Sequence, residues 1–302
     1  MMEPVIRIDG SGADPCAGIV RIDWPKAIWN GTMIAGTVAA LAVATWQAVL
    51  MFLVLTYGTL LVGHSVGMHR MMIHRTFRAK PWVARALIYV GTLVGVSGPS
   101  GIIRIHDTRD WAQRKAECHD FFAHRAGFWQ DLAWNLFSRF EFVRPPRITI
   151  EPAISADPFY RFLDVTWRWQ QAPLALTLYW AGGWPFVLWG ICARVFVSTA
   201  GHWSVTYFCH RPDLGTSPGR WLVKDAGIQA SNLPGLGLVT YGECWHNNHH
   251  AFPESARIGL EPGQVDPGWW VIAALERLDL VTAVGKPRGP DAREDLLERE
   301  SA

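Results

Sequence analysis

The stretch AIWNGTMIAGTVAALAVATWQAVLMFLVLTYGTLLVG, residues 27–63, contains no aspartate, glutamate, lysine or arginine. The hydrocarbon core of a bilayer is about 30 Å thick and takes roughly 20 helical residues to cross. The stretch is therefore long enough for two closely connected membrane-spanning helices, and we expect a turn near Ala44–Ala48. Helices of soluble proteins are seldom uncharged over such a length. The sequence predicts an integral, multi-pass membrane protein.

A second uncharged stretch covers residues 172–193 and continues, through Arg194, to about Cys209. With a turn near Gly182–Pro185, it predicts a second helical hairpin. The predicted fold class is an all-α membrane protein with four transmembrane helices in two hairpins and a cytoplasmic helical cap that carries most of the histidines. The expected spans are about 28–45, 47–68, 172–190 and 191–209.

Lysines and arginines are concentrated after each hairpin and are missing from the predicted hairpin turns. Positive residues next to membrane spans favour the cytoplasmic side. The sequence therefore places both termini in the cytoplasm, at the inner membrane if the chain is bacterial. The net charge of +2 is too small to indicate a nucleic-acid partner. The five cysteines form no CxxC pair, as expected of reduced thiols.

The segment PWVARALIYVGTLVGVSG, residues 81–98, is apolar but contains Arg85. We expect it to form a helix at the membrane interface or under the cap rather than a fifth span, because a fifth span would put the histidines on opposite sides of the membrane. The chain shows no internal repeats. The predicted division is a polar N-terminus (1–26), one membrane-embedded domain (27–285) with its cytoplasmic cap at 69–171 and 210–285, and a flexible tail (286–302).

All but two of the eleven histidines occur in three groups, each close to a predicted cytoplasmic end of a span. A metal site assembled from several chain segments requires such an arrangement, and imidazole suits iron, zinc and copper. The two other histidines flank the end of the last apolar stretch. The groups are His64, His69 and His74; His106, His119 and His124; and His246, His249 and His250; the remaining pair is His202 and His210.

The third group, in YGECWHNNHHAFP (241–253), has its histidines at positions i, i+3 and i+4, which share one face of a helix. We therefore expect all three to point into a common cavity. His69 and His74 lie five residues apart, about 140° around an α-helix. They would serve two different ions or straddle a helix end. His64 lies deeper in the span and is expected to be a satisfied buried polar group or a hydrogen-bond donor to a ligand.

These motifs resemble the histidine boxes of the integral-membrane fatty acid desaturases of the acyl-CoA, stearoyl-type branch. That family has four spans and carries HxxxxH, HxxHH and HxxHH boxes around a non-haem di-iron centre on the cytoplasmic side. HRMMIH (69–74) matches the first box and GECWHNNHHAFP (242–253) matches the third. GICARVFVSTAGHWSVTYFCH (190–210) resembles the family's last span, which ends in a further histidine ligand at His210. The resemblance covers roughly residues 30–280.

The chain departs from the family pattern in its second box, which reads HDTRD from His106 onward. Arg109 and Asp110 stand where the family has histidines. A carboxylate is a good ligand for iron, so Asp110 is expected to replace one imidazole, whereas Arg109 cannot bind a cation. His119 and His124, in the nearby CHDFFAH, are alternative substitutes.

A second departure lies in the last span. Thr206 stands where the family has an asparagine and could still hold a metal-bound water. His202, where the family usually has no histidine, is an extra ligand or a neighbour of one. The implied metal ligands are His69, His74, His106, Asp110, His210, His246, His249 and His250. Candidates for additional ligands, or for groups that contact a ligand, are His64, His119, His124, His202 and Thr206.

The resemblance implies an oxidoreductase that uses two irons and O₂ to desaturate a fatty acyl chain, supplied as acyl-CoA or another acyl lipid. A di-iron hydroxylase or oxidase on the same scaffold is the nearest alternative, because a changed ligand can redirect an oxidised iron. A non-catalytic metal-binding membrane protein is the second, and the altered second box is its best argument. The chain has no GxGxxG motif or fused electron carrier, so electrons are expected from a separate protein of the ferredoxin or cytochrome b5 type. Candidates for binding the substrate headgroup, unless they are solvated or meet the lipid bilayer, are Arg104, Arg109, Lys115 and Arg125.

Overall fold

The computed structural model describes residues 5–211, 219–288 and 293–299, and the chain is mostly helical. Two π-helical segments, whose turns are wider than those of an α-helix, continue neighbouring α-helices: π1 (Thr59–Ile73) and π2 (Leu188–Ala193). In chain order the α-helices are α1 (Trp24–Ala42), α2 (Trp46–Gly58), α3 (Pro81–Leu93), α4 (Pro99–Gln113), α5 (Asp120–Ala123), α6 (Phe128–Phe137), α7 (Pro152–Ser155), α8 (Pro158–Thr166), α9 (Gln171–Val187), α10 (Arg194–Cys209), α11 (His246–Ala251) and α12 (Pro267–Arg277).

Side-chain caps set the starts of the first two helices. The carboxylate of Asp23 accepts a hydrogen bond from the backbone N–H of Lys26 at 3.2 Å, and α1 begins there. The hydroxyl of Thr45 accepts from the backbone N–H of Ala48 at 3.2 Å, which starts α2. Such caps satisfy N–H groups that have no partner inside the helix. The chain therefore turns between Val43 and Thr45, at the beginning of the range expected from the sequence.

The hydrogen bonding of π1 brings residues five apart onto adjacent turns. The backbone N–H of His74, the residue that ends this segment, donates to the carbonyl oxygen of His69 at 3.0 Å. The angle of about 140° expected for an α-helix does not apply to this pair. Of the two interpretations that the sequence left open, the structure favours the one in which these histidines straddle a helix end.

α3 packs along π1 at a close contact between two glycines. A Cβ atom on Gly63 would lie 2.3 Å from the backbone nitrogen of Gly91, and a Cβ on Gly91 would lie 2.7 Å from the carbonyl oxygen of Gly63. Only glycine allows the two backbones to approach this closely. At 13 residues, α3 is shorter than the roughly 20 needed to cross a bilayer, and the main hydrophobic core lies around it.

The second apolar stretch reverses direction at two glycines. Gly182 and Gly183 have non-helical backbone angles, and the φ of Gly183 is +67°, a conformation that suits glycine. On either side of them, Leu178 and Ile191 pack in one cluster, together with Met33 of α1. This reversal falls in the turn that the sequence predicts near Gly182–Pro185.

Two helical stretches are long and apolar enough to cross a membrane: Trp46–Ile73, with 28 residues, and Gln171–Cys209, with 39. The second includes the break between α9 and π2. Large apolar side chains on these helices and on α1 face outward, as expected of surfaces that contact lipid rather than water. Among these side chains are Val38, Leu41, Trp46, Val54, Trp180 and Trp184.

Short strands correct the all-α prediction. In chain order they are β1 (Ile8–Asp9), β2 (Gly18–Ile22), β3 (Arg78–Ala79), β4 (Ser138–Phe142), β5 (Arg147–Ile148), β6 (Trp221–Val223), β7 (Val281–Thr282) and β8 (Leu296–Glu298). They pair in antiparallel fashion as β1 with β5, β2 with β4, β3 with β7 and β6 with β8. These pairings join segments that are far apart in the sequence, whereas the backbone hydrogen bonds of a helix join only nearby residues.

Within the segment 286–302, which the sequence predicts to be a flexible tail, β8 pairs with β6. Leu296 is buried against Trp221 and Phe252, and Arg220 forms an ion pair with Glu298 at 2.6 Å. Burial of apolar surface therefore fixes β8 to the cap. Residues 289–292 and 300–302 of this tail lie outside the described residues.

Candidate metal centre

Four histidines from distant parts of the chain meet in the first cluster, which we call cluster 1. His69 in π1, His74 at its end, His106 in α4 and His249 in α11 each offer a ring nitrogen, and these nitrogens lie within 4.8 Å of one another. The Nε2 atoms of His74 and His106 are 3.2 Å apart. Packing of π1, α4 and α11 against one another thus creates a group of neutral nitrogen donors.

Three further histidines form cluster 2. His210, directly after α10, and His246 and His250 in α11 are buried, and their ring nitrogens also lie within 4.8 Å of one another. The Nε2 atoms of His246 and His250 are 3.2 Å apart. Nδ1 of His246 and Nε2 of His210 have no hydrogen-bond partner among the described residues. Buried polar atoms normally have a partner, so these nitrogens are available to a ligand.

The short helix α11 lies between the two clusters and contributes to both. The rings of His246 and His249 are 5.6 Å apart, so the clusters are adjacent. His249 and His250 are about 100° apart around the helix, which turns His249 towards cluster 1 and His250 towards cluster 2. His249 thus belongs to cluster 1, and His246 and His250 belong to cluster 2.

In three of these histidines, one ring nitrogen is hydrogen-bonded to an oxygen atom. Since a carboxylate or a carbonyl oxygen accepts the hydrogen bond, Nδ1 carries the proton in the neutral ring and Nε2 keeps its lone pair. Metal-binding histidines are commonly oriented in this way. The pairs are His69 Nδ1 with Glu243 Oε2 at 2.8 Å, His106 Nδ1 with Asp107 Oδ1 at 3.2 Å, and His210 Nδ1 with the Thr206 carbonyl oxygen at 2.8 Å.

Glu243 is the most strongly held of these acceptors, and sequence reasoning did not single it out. Besides His69, it accepts a hydrogen bond from the Ser65 hydroxyl at 2.6 Å and one from Arg70 at 3.4 Å. Burial opposes its ionisation, but the neighbouring His69 and Arg70 outweigh burial and hold the pKa of the carboxyl well below its usual range. Arg70 also pairs with Asp266 at 2.8 Å. An ionised, fixed carboxylate therefore orients His69.

Both clusters fit a first-row transition metal ion. Two nitrogens that bind one ion at about 2.1 Å each, about 100° apart, are separated by about 3.2 Å. The His74–His106 and His246–His250 pairs have this separation. Burial lowers the pKa of His74, His246 and His249 well below the usual range and that of His250 to about 4. At pH 7 these rings are neutral, which is the form that binds a metal.

The second-box residues that depart from the family lie beside the clusters. Oδ2 of Asp110 is 3.7 Å from Nε2 of His106. Burial raises the pKa of Asp110, but the nearby rings of His106 and His250 and the Arg109 guanidinium outweigh burial, so this pKa lies below its usual range. Arg109 donates a hydrogen bond to the hydroxyl of Thr206 at 3.2 Å. Asp110 thus faces the histidines, and Arg109 extends to the last apolar helix.

Four histidines considered from the sequence lie outside both clusters: His64, His119, His124 and His202. The rings of His64 and His202 are 4.8 Å apart and line a neighbouring cavity, and Nδ1 of His64 has no partner among the described residues. His119 caps α5, where its Nδ1 accepts from the backbone N–H of Phe121 at 3.1 Å. Its ring therefore serves local structure.

His124 lies next to cluster 2 without joining it. Its ring is 6.0 Å from that of His210, and its Nδ1 is 2.9 Å from a carboxylate oxygen of Asp131. The indole of Trp203 donates to the same oxygen at 2.7 Å. Asp131 was not singled out from the sequence, because nothing local indicates that α6 packs against α10.

The histidines at the edge of the clusters line a cavity of about 360 Å³ that we call the apolar cavity. The cluster histidines that line it are His69, His106 and His246. Its remaining walls are predominantly apolar and come from π1, α4, α10 and the loop before α11. They include Leu60, Ile102, Val197, Phe208, Leu236 and Val239.

A second cavity, of about 510 Å³, is lined by basic and aromatic side chains, and we call it the cationic cavity. Arg104 and Arg109, two of the headgroup candidates from the sequence, line it. The other two, Lys115 and Arg125, line neither cavity; the Lys115 ammonium lies 5.7 Å from the Trp111 ring. Basic and aromatic side chains that the sequence did not indicate also line it: Lys26, Arg139, Arg168, Trp29, Trp134 and Trp167.

The long apolar helices end at two adjacent clusters of histidines. These features place the chain among helical, membrane-associated proteins with a polyhistidine centre. The family model described as "Fatty acid desaturase" matches residues 44–260. The chain is similar to the sn-2 palmitoyl-lipid 9-desaturase of Nostoc, with 31% identity over 86% of this chain and 91% of that protein. It is also similar to the sn-1 stearoyl-lipid 9-desaturase of Anabaena variabilis (32%, over 87% and 94%) and the icosanoyl-CoA 5-desaturase of Limnanthes douglasii (30%, over 94% and 79%).

The chain belongs to the fatty acid desaturase family. The family resemblance seen in the histidine boxes is confirmed, although the second box differs. The protein is an oxidoreductase that acts on fatty acyl chains with O₂. It is a membrane-associated enzyme of lipid metabolism.

Proposed function

We propose that the chain introduces a double bond into a fatty acyl chain at a histidine-ligated, non-haem di-iron centre, with O₂ as co-substrate. The observation that carries the proposal is that histidines of both clusters line the apolar cavity. His69 and His106 of cluster 1 and His246 of cluster 2 all line it. Methylene carbons of an acyl chain in this cavity would lie against both groups of nitrogen donors.

One iron would be held by cluster 1 and the other by cluster 2. Asp110 would add an oxygen ligand where the family has an imidazole, since its carboxylate is ionised and lies 3.7 Å from His106. When bound, the irons supply O₂ activation and the removal of hydrogens from unactivated carbons, which no side chain can perform. Thr206 and the histidines outside the clusters would form hydrogen bonds with metal ligands or with metal-bound water.

The chain's own residues prepare the donors and exclude water. Glu243, Asp107 and the Thr206 carbonyl keep the proton on Nδ1 of their histidines and leave Nε2 free. Apolar walls align an acyl chain and keep bulk water from the reacting carbons. These contributions require no movement of the histidines, because packing already fixes them.

The cationic cavity suits the polar part of an acyl lipid or acyl-CoA. The similar proteins are named for acyl-lipid and acyl-CoA substrates. Arginine forms bidentate contacts with phosphate and stacks on aromatic rings, and the cavity offers Arg104 and Arg109 beside tryptophans. We therefore propose that the headgroup lies there and the acyl chain extends into the apolar cavity.

In the membrane we propose four spans, formed by α1, α2 with π1, α9, and π2 with α10, with both termini in the cytoplasm, at the inner membrane if the chain is bacterial. The support is the reversal at Gly182–Gly183, the apolar outward faces and the position of both clusters at one end of the helices. A ferredoxin or cytochrome b5-type protein would deliver electrons from the cytoplasmic side.

Expression in a host with a defined fatty acid composition tests the proposal. Gas chromatography–mass spectrometry of total acyl chains is expected to show a new, O₂-dependent unsaturated species with the wild type. His106→Ala removes a cluster 1 donor and is expected to abolish it, whereas His119→Ala, outside both clusters, retains it. A hydroxylated species instead would establish the hydroxylase alternative, and stoichiometric metal without any product would establish the non-catalytic one.

A further inference from the structure

Arg109 stands at the junction between the two cavities. Ile105, Arg109 and His202 line both the apolar and the cationic cavity, so an acyl substrate that extends from one into the other passes these side chains. Of the three, only Arg109 carries a permanent positive charge. Its surroundings therefore decide which part of a substrate can stop at the junction.

The guanidinium has few partners within the chain. One nitrogen donates to the Thr206 hydroxyl at 3.2 Å, and Nε is buried without a hydrogen-bond partner among the described residues. Among the described residues, no carboxylate forms an ion pair with Arg109, although Asp110 is next in sequence. Burial lowers the pKa of this guanidinium, but an arginine in a protein stays charged. The junction therefore contains a partly buried cation that makes no ion pair among the described residues and has one buried nitrogen without a partner.

A buried guanidinium N–H of this kind is costly unless an oxygen atom accepts its hydrogen bond. Methylene groups at the junction would leave its donors unpaired. Nδ1 of His64, whose ring packs 4.8 Å from that of His202, is a second buried nitrogen without a partner among the described residues. The junction is thus built for a hydrogen-bond acceptor, while the space beyond it is apolar.

We infer that Arg109 binds a carboxyl oxygen of the substrate, an inference that rests on the acyl substrate proposed above. This contact fixes the position of the first carbon of the hydrocarbon chain. The tail then fills the apolar cavity, and any esterified group lies in the cationic cavity. A free carboxylate and an ester carbonyl share the required chemistry. Arg109 is in this account a specificity-determining residue, occupying a place where the family has a metal ligand.

The position of Arg109 also fixes the distance between the carboxyl end and the histidines. Its partner Thr206 is four residues before His210, about one helical turn, and the carbonyl of Thr206 accepts the hydrogen bond from His210 Nδ1. The hydroxyl that Arg109 contacts therefore lies within about one helical turn of His210 in cluster 2.

Equilibrium binding to the full-length, iron-loaded protein under anaerobic conditions tests this without turnover. The probes are radiolabelled hexadecanoic acid, methyl hexadecanoate and hexadecanol, which share a chain length and differ at the first carbon. The wild type is expected to bind the acid at least about tenfold more tightly than the alcohol, because a charge-assisted hydrogen bond contributes that much. An ester bound as tightly as the acid identifies the carbonyl as the ligand, and an ester bound as weakly as the alcohol identifies the carboxylate.

Arg109→Met is expected to abolish the preference for the acid, and Arg109→Lys to retain part of it. Arg85→Met is the matched control, since Arg85 is half exposed and pairs with Asp157 away from both cavities. Equal affinity for acid and alcohol in the wild type, or an unchanged preference in a folded Arg109→Met or Arg109→Gln protein, would overturn the inference. Loss of desaturation alone would not, because the binding measurement needs no product.

Discussion

Nε2 of His74 lies 3.2 Å from Nε2 of His106, although the two residues are 32 positions apart. This contact exists because π1 ends beside α4 and because the π-helical turn brings His74 next to His69. The ring of His106 is held by the Asp107 carboxylate, and the ring of His74 packs against those of His69 and His249. The groups behind the histidines therefore control metal affinity as well as the fold.

Glu243→Gln is expected to weaken metal binding about 10- to 100-fold, the usual effect of removing a carboxylate behind a metal-binding histidine. Glutamine preserves the size of the side chain but loses the charge that orients His69. Competition with a chelator measures the affinity. Glu141→Gln, at an exposed ion pair with Arg21, is the control and should bind metal like the wild type. Equal affinities in both variants would show that Glu243 serves Arg70 alone.

Arg7→Met is expected to lower the free energy of unfolding by about 1–3 kcal/mol, because it leaves two partly buried carboxylates without their hydrogen-bond donor. Arg7 pairs with Glu151 at 2.8 Å and with Asp107 at 3.1 Å, and its side chain is 2% exposed. Chemical denaturation in detergent is the measurement. Arg21→Met breaks an ion pair with Glu141 whose arginine is 60% exposed, so a cost below about 1 kcal/mol is expected there. Similar losses in the two variants would contradict the structure.

Gly63→Ala is expected to destabilise the protein by about 1–3 kcal/mol, the usual cost of overpacking. The added methyl group would meet the backbone of Gly91, which cannot rotate away as a side chain can. Gly58→Ala, in the same helical stretch, meets nothing within 4 Å and should be neutral or stabilising, since alanine favours a helix. Thermal denaturation of both variants distinguishes the two cases. A neutral Gly63→Ala would mean that α3 does not pack against π1 in this way.

The metal-free protein is expected to lose stability as the pH falls from about 6.5 to about 4. Burial lowers the pKa of His250 to about 4 and that of His74, His246 and His249 well below the usual range. In this window the unfolded chain takes up protons that the folded chain does not, so stability rises with pH. Above pH 6.5 these rings are neutral in both states and contribute no pH dependence. Denaturation midpoints between pH 4 and pH 8 test this, and a flat profile below pH 6.5 would contradict it.

Much of the site could be predicted from the sequence, because histidines recur at the same relative positions beside apolar stretches. The residues of both clusters were all named in advance, and the hairpin turn at Gly182–Gly183 follows from glycines inside an uncharged run. What the sequence could not give is the assignment of each histidine to a cluster. That depends on the π-helical turn at His69–His74 and on the orientation of α11, and neither has a local pattern.

The sequence also does not predict the contacts between segments that are far apart along the chain. Glu243, Asp107 and Asp131 resemble ordinary polar residues in sequence, and only packing brings each to a histidine. The same holds for β8, whose pairing with Trp221–Val223 depends on apolar burial 70 or so residues away along the chain. Periodicity reports which face of an element is apolar, and it carries no information on which partner covers that face.

We propose that the two histidine clusters hold two irons. Iron content per chain, measured after anaerobic purification from iron-supplemented cells, tests it most directly. About two irons are expected in the wild type and about one in either His249→Ala, which alters cluster 1, or His246→Ala, which alters cluster 2. A folded wild-type protein without stoichiometric metal would contradict the account.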